Sequence, residues 1–256
     1  MINNSGSIAK IAGILKKSKS ILFITGAGIS ADSGLPTYRG IGGLYNDSTT
    51  EEGIPIEMAL AGETLKKSPA ITWKYLSQIE KNCREATFNR GHQVIAEMET
   101  RFERVWVFTQ NIDGFHHAAG SRNVIDIHGD MHSLICATCR WQGTVKDYSE
   151  ISIPPICPEC GRIVRPEVVF FGEMLPEDKL AVLQRELRRG FDVYFSIGTT
   201  SVFPYIRQPM LVANQLGRPT IEINLEDTEI SDFVDIKLRM RAAEALDAIW
   251  SEYRLK

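Results

Sequence analysis

Five short runs of β-branched and aromatic residues recur along the chain, and most of them contain almost no polar residue. Between them lie longer stretches in which apolar residues recur at helical spacing, such as Val94, Ile95 and Met98. Continuous apolar character is typical of strands that are covered on both faces. The five runs are 21–24, 105–108, 124–127, 193–197 and 220–223. Their alternation with helices predicts an α/β protein with a parallel sheet and helices on both faces.

Four of the five cysteines form two C-x2-C pairs that are separated by 17 residues: Cys136 with Cys139, and Cys157 with Cys160. This spacing is typical of a site in which four thiolates surround one Zn2+ ion. A redox-active dithiol is the alternative, but the occurrence of two pairs, with Gly161 after the second, favours the metal. Four protein ligands leave no open position on zinc, so we predict one structural zinc ion.

Two stretches of the chain do not follow the strand and helix alternation. They predict a second, smaller domain that is made of two insertions: a helical insertion at 44–87 and a zinc ribbon at 133–165, which contains the paired cysteines. The nucleotide-binding sheet domain is then assembled from residues 1–43, 88–132 and 166–256.

A glycine-rich turn, with Gly26, Ala27 and Gly28, directly follows the first predicted strand. It fits the G-x-G-x-x-G/A pattern, in which glycines let backbone N–H groups approach a pyrophosphate. A tight turn without any ligand would look similar. However, polar residues also follow the other strands, and an open parallel sheet binds ligands where these carboxyl ends meet. We predict a Rossmann-like nucleotide site, in a variant form, because no strand precedes the acids that could bind an adenosine ribose as in dehydrogenases.

Extended to residue 40, the glycine turn reads GAGISADSGLPTYRG and resembles the signature of the sirtuin family. Further similar motifs follow in the family's order: TQNIDG at 109–114, HG at 128–129, the cysteine pairs, RPEVVFFGE at 165–173, GTT at 198–200 and IN at 223–224. Together they cover nearly the whole chain, which resembles bacterial sirtuins. Residues 44–87 carry the weakest resemblance, and 238–243 depart from a stretch that usually contains glycine in the family.

The resemblance implies an NAD-dependent protein-lysine deacylase, foremost a deacetylase, that releases nicotinamide, O-acetyl-ADP-ribose and free lysine. It implies that His128 is the catalytic base, because a neutral imidazole can accept a proton from a ribose hydroxyl near pH 7. It also implies that Val169 and Phe171 line an apolar tunnel for the acylated lysine. Such a tunnel suits a lysine without charge, since a free ammonium is unfavourable to bury.

The same resemblance implies a role for each residue of an NAD site. Asp113 and the backbone of Ile112 would bind the nicotinamide carboxamide, with Gln110 and Asn111 on the adjoining ribose. An Asx-type turn is a second interpretation of Asn111 and Asp113, and both roles can coexist. The full implied set for NAD is Gly26, Ala27, Gly28, Ser30, Tyr38, Arg39, Gln110, Asn111, Ile112, Asp113, Gly198, Thr199, Thr200 and Asn224. Within it, Ser30, Thr199 and Thr200 would bind phosphates, Asn224 the adenosine ribose, and Tyr38 and Arg39 the closing cofactor loop.

The acyl group is predicted from the helical insertion. Sirtuins that prefer acidic acyl groups carry a Tyr-x-x-Arg pair there, but Gln78 follows Tyr75 at that spacing in this chain. An alternative alignment places Leu76 and Ile79 at the two positions, and neither alignment provides the arginine. We therefore expect neutral acyl groups, acetyl first, with longer chains accommodated beside Leu76 and Ile79.

Other functions stay open at this point. A protein ADP-ribosyltransferase would share the NAD cleavage step, and a non-catalytic NAD-sensing module would share the cofactor residues, although an intact His128 favours deacylation. A formal net charge of −3 and the lack of a long basic run argue against nucleic acid as a partner. No apolar stretch approaches the roughly 20 residues that span a bilayer. We expect a cytoplasmic protein that binds acylated lysine peptides or proteins, with no membrane partner and an oligomeric state that the sequence leaves unknown.

Overall fold

The computed structural model describes residues 4–37 and 49–255, so the predicted cofactor residues Tyr38 and Arg39 lie outside the described residues. Within these ranges the strands are β1 (Ser20–Thr25), β2 (Arg104–Thr109), β3 (Val124–Asp126), β4 (Gly129–Cys136), β5 (Gln142–Thr144), β6 (Val164–Val168), β7 (Val193–Ile197), β8 (Thr220–Ile223) and β9 (Ile236–Leu238). The α-helices are α1 (Asn4–Leu15), α2 (Ala27–Ser30), α3 (Ile56–Ala59), α4 (Gly62–Lys67), α5 (Pro69–Cys83), α6 (Arg90–Met98), α7 (Phe115–Ala118), α8 (Glu177–Arg189), α9 (Pro204–Gln215) and α10 (Ala242–Arg254).

Six strands form one parallel sheet in the order β3-β2-β1-β7-β8-β9. The chain builds the sheet outward from β1 in one direction and then resumes on the other side of β1 with β7, which is the order of the Rossmann fold. The predicted parallel sheet is confirmed, and its five predicted strands correspond to β1, β2, β3, β7 and β8. The edge strand β9 was not predicted, because Lys237 interrupts its three residues and leaves no apolar run.

Helices cover both faces of this sheet, as the apolar runs predicted. In β1, Ile21 and Phe23 face a core that includes residues of α1, α6 and α10. Leu22 and Ile24 face the opposite core, which includes residues of α8 and α9. Burying each such side chain contributes roughly 1.5–3 kcal/mol, more than an exposed ion pair. The two-sided apolar core therefore fixes the sheet whose strand ends carry the functional residues.

Both predicted insertions contribute to a separate hydrophobic core. Helices α3 to α5 pack there with the second sheet, in the order β5-β4-β6, and the Trp73 indole donates a hydrogen bond to the Val164 carbonyl over 2.9 Å. The predicted domain boundaries stay a prediction. The second sheet extends past both edges of 133–165, since β4 begins at Gly129 and β6 ends at Val168.

The first turn of α6 ties this helix to the glycine turn after β1. The Asn89 side chain accepts a hydrogen bond from the Gly91 amide over 2.9 Å and donates one to the Ile29 carbonyl over 2.8 Å. The backbone amide of Asn89 donates a hydrogen bond to His92 Nδ1 over 3.3 Å, which completes a capping box. Because Nδ1 accepts this bond, the proton of the neutral ring is on Nε2. His92 is fully buried and thus serves as a structural, uncharged histidine.

Acid is expected to destabilise the fold through His92. Burial lowers the pKa of His92 from its ordinary value of 6.5 to about 4. Between these two pH values the unfolded chain binds a proton that the folded protein does not, so stability is lost as the pH falls below 6.5. The loss at pH 5 amounts to roughly 2 kcal/mol for this one group. Burial also lowers the pKa of His116, which acts in the same direction.

Urea unfolding of the wild type and of a His92→Asn variant at pH 7 and pH 5 measures this effect. The asparagine keeps an acceptor for the Asn89 amide but has no proton to bind. We expect the wild type to lose more stability than the variant between the two pH values. An equal loss in both proteins would contradict the assignment to His92.

Candidate functional site

A cavity of about 490 Å3 opens at the carboxyl ends of β1, β2, β7 and β8, beside the second core. The cavity lies at the topological switch point between β1 and β7, where the strand order reverses and where ligands of such folds bind. Most of the predicted site residues line it: Gly26, Ala27, Gly28, Gln110, Asn111, Ile112, His128, Val169, Phe171, Gly198, Thr199, Thr200 and Asn224. Ser30 and Asp113 line a smaller adjoining pocket, which shares Ala27, Asn111 and Ile112 with the main cavity.

The turns after β1 and β7 approach each other very closely at the floor of the cavity. The Gly28 amide donates to the Gly198 carbonyl over 2.8 Å, and a Cβ added to Gly28 would lie 2.5 Å from the Gly198 Cα. Gly198 also has a φ of +59°, which L side chains rarely adopt. Glycine is required at both positions, so the two turns form a cradle of bare backbone that suits a pyrophosphate.

The polar side chains on this floor are fixed by one another. Gln110 Nε2 donates to Thr199 Oγ1 over 2.8 Å, and Asn224 Nδ2 donates to the Thr199 carbonyl over 3.1 Å. Residues from the ends of three strands therefore meet at Thr199. This arrangement presents preoriented amide and hydroxyl groups of the kind that bind ribose and phosphate oxygens.

The smaller pocket contains a buried carboxylate with defined partners. Ser30 Oγ donates to Asp113 Oδ2 over 2.6 Å, and Asn111 Nδ2 donates to Ser30 Oγ over 3.1 Å. The Phe115 amide donates to Asp113 Oδ1 over 3.0 Å, which is the Asx-type turn considered above. Burial raises the pKa of Asp113, and the hydrogen bonds from Ser30 and Phe115 oppose this effect. Ser30 thus orients Asp113 instead of lining the main cavity, and its role with phosphate stays a prediction.

His128 is held at the wall of the main cavity by backbone contacts on both sides. Its carbonyl accepts a hydrogen bond from the Val169 amide over 2.9 Å, and its Nδ1 lies 2.9 Å from the Gln110 carbonyl. The next residue, Gly129, has a φ of +88°, and a Cβ there would lie 1.8 Å from the Glu167 carbonyl oxygen. Only glycine lets β4 and β6 approach so closely, and this approach fixes the backbone of His128.

The imidazole of His128 has a defined tautomer. A carbonyl oxygen can only accept, so the proton is on Nδ1 and Nε2 carries the lone pair. Burial lowers the pKa of His128, which the hydrogen bond to the Gln110 carbonyl partly opposes. The ring is therefore neutral at pH 7 and has a basic nitrogen available for proton transfer.

Tyr205 is a cavity residue that the sequence did not predict. Its hydroxyl lies 2.8 Å from His128 Nε2, and its ring belongs to the first turn of α9. Pro204, four positions after the GTT turn, marks the start of that helix, and this signal could have placed Tyr205 near the strand ends. The sequence did not indicate that its hydroxyl would reach the predicted base.

The departure at 238–243 also reaches the cavity, through Met240, Arg241 and Ala242. Asp32, in the turn that follows α2, accepts hydrogen bonds from the Arg241 guanidinium over 3.0 Å and from the Ala243 amide over 2.9 Å. A carboxylate bonded to the second amide of a helix acts as its cap. The first turn of α10 is therefore fixed to the segment that carries the glycine turn.

The four paired cysteines come together in space. Their Sγ atoms all lie within 4.8 Å of one another, with 3.5 Å between Cys136 and Cys160 and 3.6 Å between Cys139 and Cys157. Zinc–sulfur bonds of about 2.3 Å in a tetrahedron require sulfur separations of about 3.8 Å. The cluster thus fits one zinc ion, as predicted.

The turns around the cluster support negatively charged sulfur. Cys136 Sγ accepts hydrogen bonds from the Thr138 and Cys139 amides, each over 3.3 Å. Gly161 has a φ of +70°, and its amide donates to the Cys157 carbonyl over 2.9 Å, which closes the second turn. Amide donors stabilise thiolates, the form that binds a metal. None of the four cysteines is among the described residues that line the cavity that contains His128.

The fold and the site define a Rossmann-like α/β protein that has a dinucleotide-sized cavity and a zinc-binding module. Among the described residues, no helix is both long and apolar enough to cross a membrane. The chain belongs to the Sir2 family, the sirtuins, whose sequence profile matches residues 26–204. The resemblance inferred from the motifs is thereby confirmed.

Relatives match along almost the whole length. The chain is 47% identical over 253 residues to NAD-dependent protein deacylase 2 of Pseudomonas aeruginosa, with 98% of each chain covered. It is 39% identical over 231 residues to NAD-dependent protein deacylase 1 of Caldanaerobacter subterraneus, covering 90% of this chain and 92% of the relative.

Two solved structures show the same fold. A Sir2 homologue in complex with NAD is 35% identical, with a TM-score of 0.84 over 98% of this chain and 94% of the other. A Sir2 structure with a deacetylated p53 peptide and 3'-O-acetyl-ADP-ribose is 27% identical, with a TM-score of 0.85 over 96% and 98% of the two chains.

Proposed function

We propose that the protein is an NAD-dependent protein-lysine deacylase, which transfers the acyl group of a modified lysine to ADP-ribose and releases nicotinamide and free lysine. The proposal rests on one arrangement: the glycine cradle, the neutral base His128 and an apolar wall line one cavity, and the pocket that contains the Asp113 carboxylate adjoins it. The relatives at 47% and 39% identity are named NAD-dependent protein deacylases, which supports the same activity.

The geometry assigns a task to each part of the cavity. The glycine cradle holds the pyrophosphate of NAD, and Asp113, oriented by Ser30, accepts a hydrogen bond from the nicotinamide carboxamide. Nicotinamide leaves when the acyl oxygen attacks the ribose carbon that carried it. A ribose hydroxyl then attacks the acyl carbon and must lose its proton. His128 accepts a proton on Nε2, because Nδ1 already carries a proton, which it donates in a hydrogen bond to the Gln110 carbonyl.

The zinc ion has no part in these steps. Cys136, Cys139, Cys157 and Cys160 would hold it with all four coordination positions filled, and bound zinc would stabilise the module beside the cavity. Thiolates persist in a reducing compartment, which supports our proposal that the protein acts in the cytoplasm on acylated proteins.

Apolar lining residues define the end of the cavity that we assign to the acyl group: Leu60, Leu76, Ile79, Val168, Phe170 and Leu175. Glu173, which is paired with Arg165, also belongs to the lining. Gln78 and Tyr75 are not among the described residues that line the cavity. The Gln78 side chain is exposed, and the Tyr75 hydroxyl donates a hydrogen bond to Glu52. Leu76 and Ile79 line the cavity, which supports the alternative alignment. Among the described lining residues Arg241 is the only lysine or arginine, and it is paired with Asp32, so the lining offers no unpaired cation for an acidic acyl group.

We expect a neutral acyl preference in steady-state assays with matched lysine peptides. An unpaired carboxylate that loses its hydration costs several kcal/mol, so kcat/KM for a succinyl peptide is predicted to be at least about tenfold below that for an acetyl peptide. The variant Ile79→Arg is the matched control, because it places a cation at the lining position and is predicted to shift the ratio toward succinyl. A succinyl rate equal to the acetyl rate in the wild type would contradict this prediction.

The activity itself is tested by nicotinamide release in the presence and absence of an acetyl-lysine peptide. Deacylation predicts release that depends on the peptide and equals the amount of lysine formed. Release of nicotinamide with the acetyl group still on the peptide would instead favour ADP-ribosyl transfer. No release with any acyl peptide would favour a non-catalytic NAD-binding module.

A further inference from the structure

The basic nitrogen of His128 is already engaged by another side chain of the protein. Since the Nδ1 proton is directed at the Gln110 carbonyl, Nε2 can only accept, and the Tyr205 hydroxyl at 2.8 Å must donate to it. An imidazole nitrogen has one lone pair in the plane of the ring. A substrate hydroxyl therefore cannot bond to Nε2 directly while Tyr205 keeps this position.

The position of Tyr205 is set by the start of a helix and by a neighbouring aromatic ring. It lies in the first turn of α9, after Pro204, and its ring stacks on that of Phe203 with 5.5 Å between the centroids and 17° between the planes. The rings of Tyr205 and His128 are 6.2 Å apart and nearly perpendicular, which directs the hydroxyl edge of the tyrosine at the imidazole. Displacing this hydroxyl by rotation of the side chain would break the stack of the Tyr205 and Phe203 rings.

We propose that Tyr205 is a catalytic residue that relays a proton from the ribose hydroxyl of the co-substrate to His128. This inference rests on the proposed deacylase function. The ribose hydroxyl gives its proton to Tyr205 Oη, and the proton that was on Oη passes to His128 Nε2. As the ribose oxygen bonds to the acyl carbon, the electron pair of the double bond between this carbon and the lysine nitrogen moves to the nitrogen. Tyr205 is again neutral, and the imidazole carries one positive charge. The imidazolium then gives a proton, through Tyr205 Oη, to the lysine nitrogen, and the bond between this nitrogen and the acyl carbon breaks as lysine leaves.

The chemistry of the phenol suits this task. A tyrosine hydroxyl donates one hydrogen bond and accepts others, so it can bond to His128 and to a ribose hydroxyl at the same time. Tyr205 lines the same cavity as His128 and the glycine cradle, so a co-substrate bound there can contact it. The alternative is that Tyr205 only blocks the base and leaves it when NAD binds.

The variant Tyr205→Phe separates these two possibilities, because it removes the hydroxyl and keeps the ring on Phe203. A relay predicts that kcat for deacetylation falls about 100-fold, the lower end of the usual range for such catalysis. KM for NAD stays within about twofold, since binding energy common to the ground and transition states is unaffected. Exchange of labelled nicotinamide into NAD, which reports the step before a base is needed, continues at the wild-type rate.

Tyr253→Phe is the matched control, because it makes the same change on α10, where the ring stacks on Trp250 away from the cavity. It is expected to leave all three quantities unchanged. A double variant adds a second readout: with His128→Ala present, Tyr205→Phe should cause no further loss, because residues that act as one unit are not additive.

A Tyr205→Phe enzyme with wild-type or higher kcat would overturn the relay and show that the tyrosine blocks the base. Losses that multiply in the double variant would also overturn it. A wild-type protein that deacetylates no peptide would overturn the proposed function and the relay together. That result is distinct, because it is seen before any variant is made.

Discussion

Replacing His128 with alanine is expected to slow lysine deacylation by about 10²- to 10⁴-fold, the usual contribution of a positioned general base. The structure gives a physical reason for an effect of this size. The Gln110 carbonyl fixes the tautomer of the ring, and burial lowers its pKa, so His128 is a neutral base at pH 7. Alanine removes the proton acceptor and leaves the glycine cradle and the Asp113 pocket in place.

Steady-state kinetics with an acetyl-lysine peptide measure this loss, and calorimetric titration with NAD shows whether the variant still binds its co-substrate. His117→Ala is the control, since this histidine is exposed on α7 and does not line the described cavity. In the wild type, activity should decline only below pH 6.5, because the base is inactive when protonated. A His128→Ala enzyme within fivefold of the wild type would contradict the assignment of the base.

Replacing Cys157 with serine is expected to have the second-largest effect, which is loss of the zinc ion and of the folded module around it. Structural zinc contributes roughly 10–16 kcal/mol of apparent binding free energy in small metal sites, so removing one of four thiolates removes much of that stabilisation. The Cys157 side chain is buried and belongs to the core that also contains α3 to α5. Unfolding there would remove the apolar wall of the cavity, and we expect deacylation to be lost with the metal.

Zinc content by elemental analysis and the near-ultraviolet circular dichroism of Trp73 and Tyr148 follow this change, because these two rings pack together in the same core. Cys83→Ser is the matched control: Cys83 is outside the four-thiol cluster, so this variant should keep one zinc per chain. A strong chelator should reproduce the Cys157→Ser spectrum. A Cys157→Ser protein that contains one zinc per chain and has an unchanged near-ultraviolet spectrum would refute the four-cysteine site.

The sequence predicted the sheet because its strands are apolar on both faces. In β1 the residues 21–24 alternate between two cores, so the run was visible without any structure. In the edge strand β9, Lys237 lies between two buried apolar residues, so the sequence contains no continuous apolar run there. The cysteine cluster was also predictable, since ligand spacing within each pair and the spacer between them limit the possible geometry.

The direction of individual side chains was less predictable, because it depends on residues that are distant in the chain. Ser30 follows the glycine turn, but its hydroxyl is directed at Asp113, which is 83 positions further on. The contact between Tyr205 and His128 spans 77 positions. Likewise, both alignments of the helical insertion fitted the sequence, and only the packing of α5 places Leu76 and Ile79 in the cavity while Gln78 is exposed.

Transfer of the acyl group from lysine to ADP-ribose is tested most directly by mass spectrometry of an acetyl-lysine peptide incubated with the protein. With NAD, we predict that the peptide loses its acetyl group and that an equal amount of acetylated ADP-ribose and nicotinamide forms. Without NAD, the peptide should be unchanged. Two results would contradict this transfer. One is free acetate, formed in place of acetylated ADP-ribose from the start of the reaction, and the other is NAD left intact with every acyl peptide.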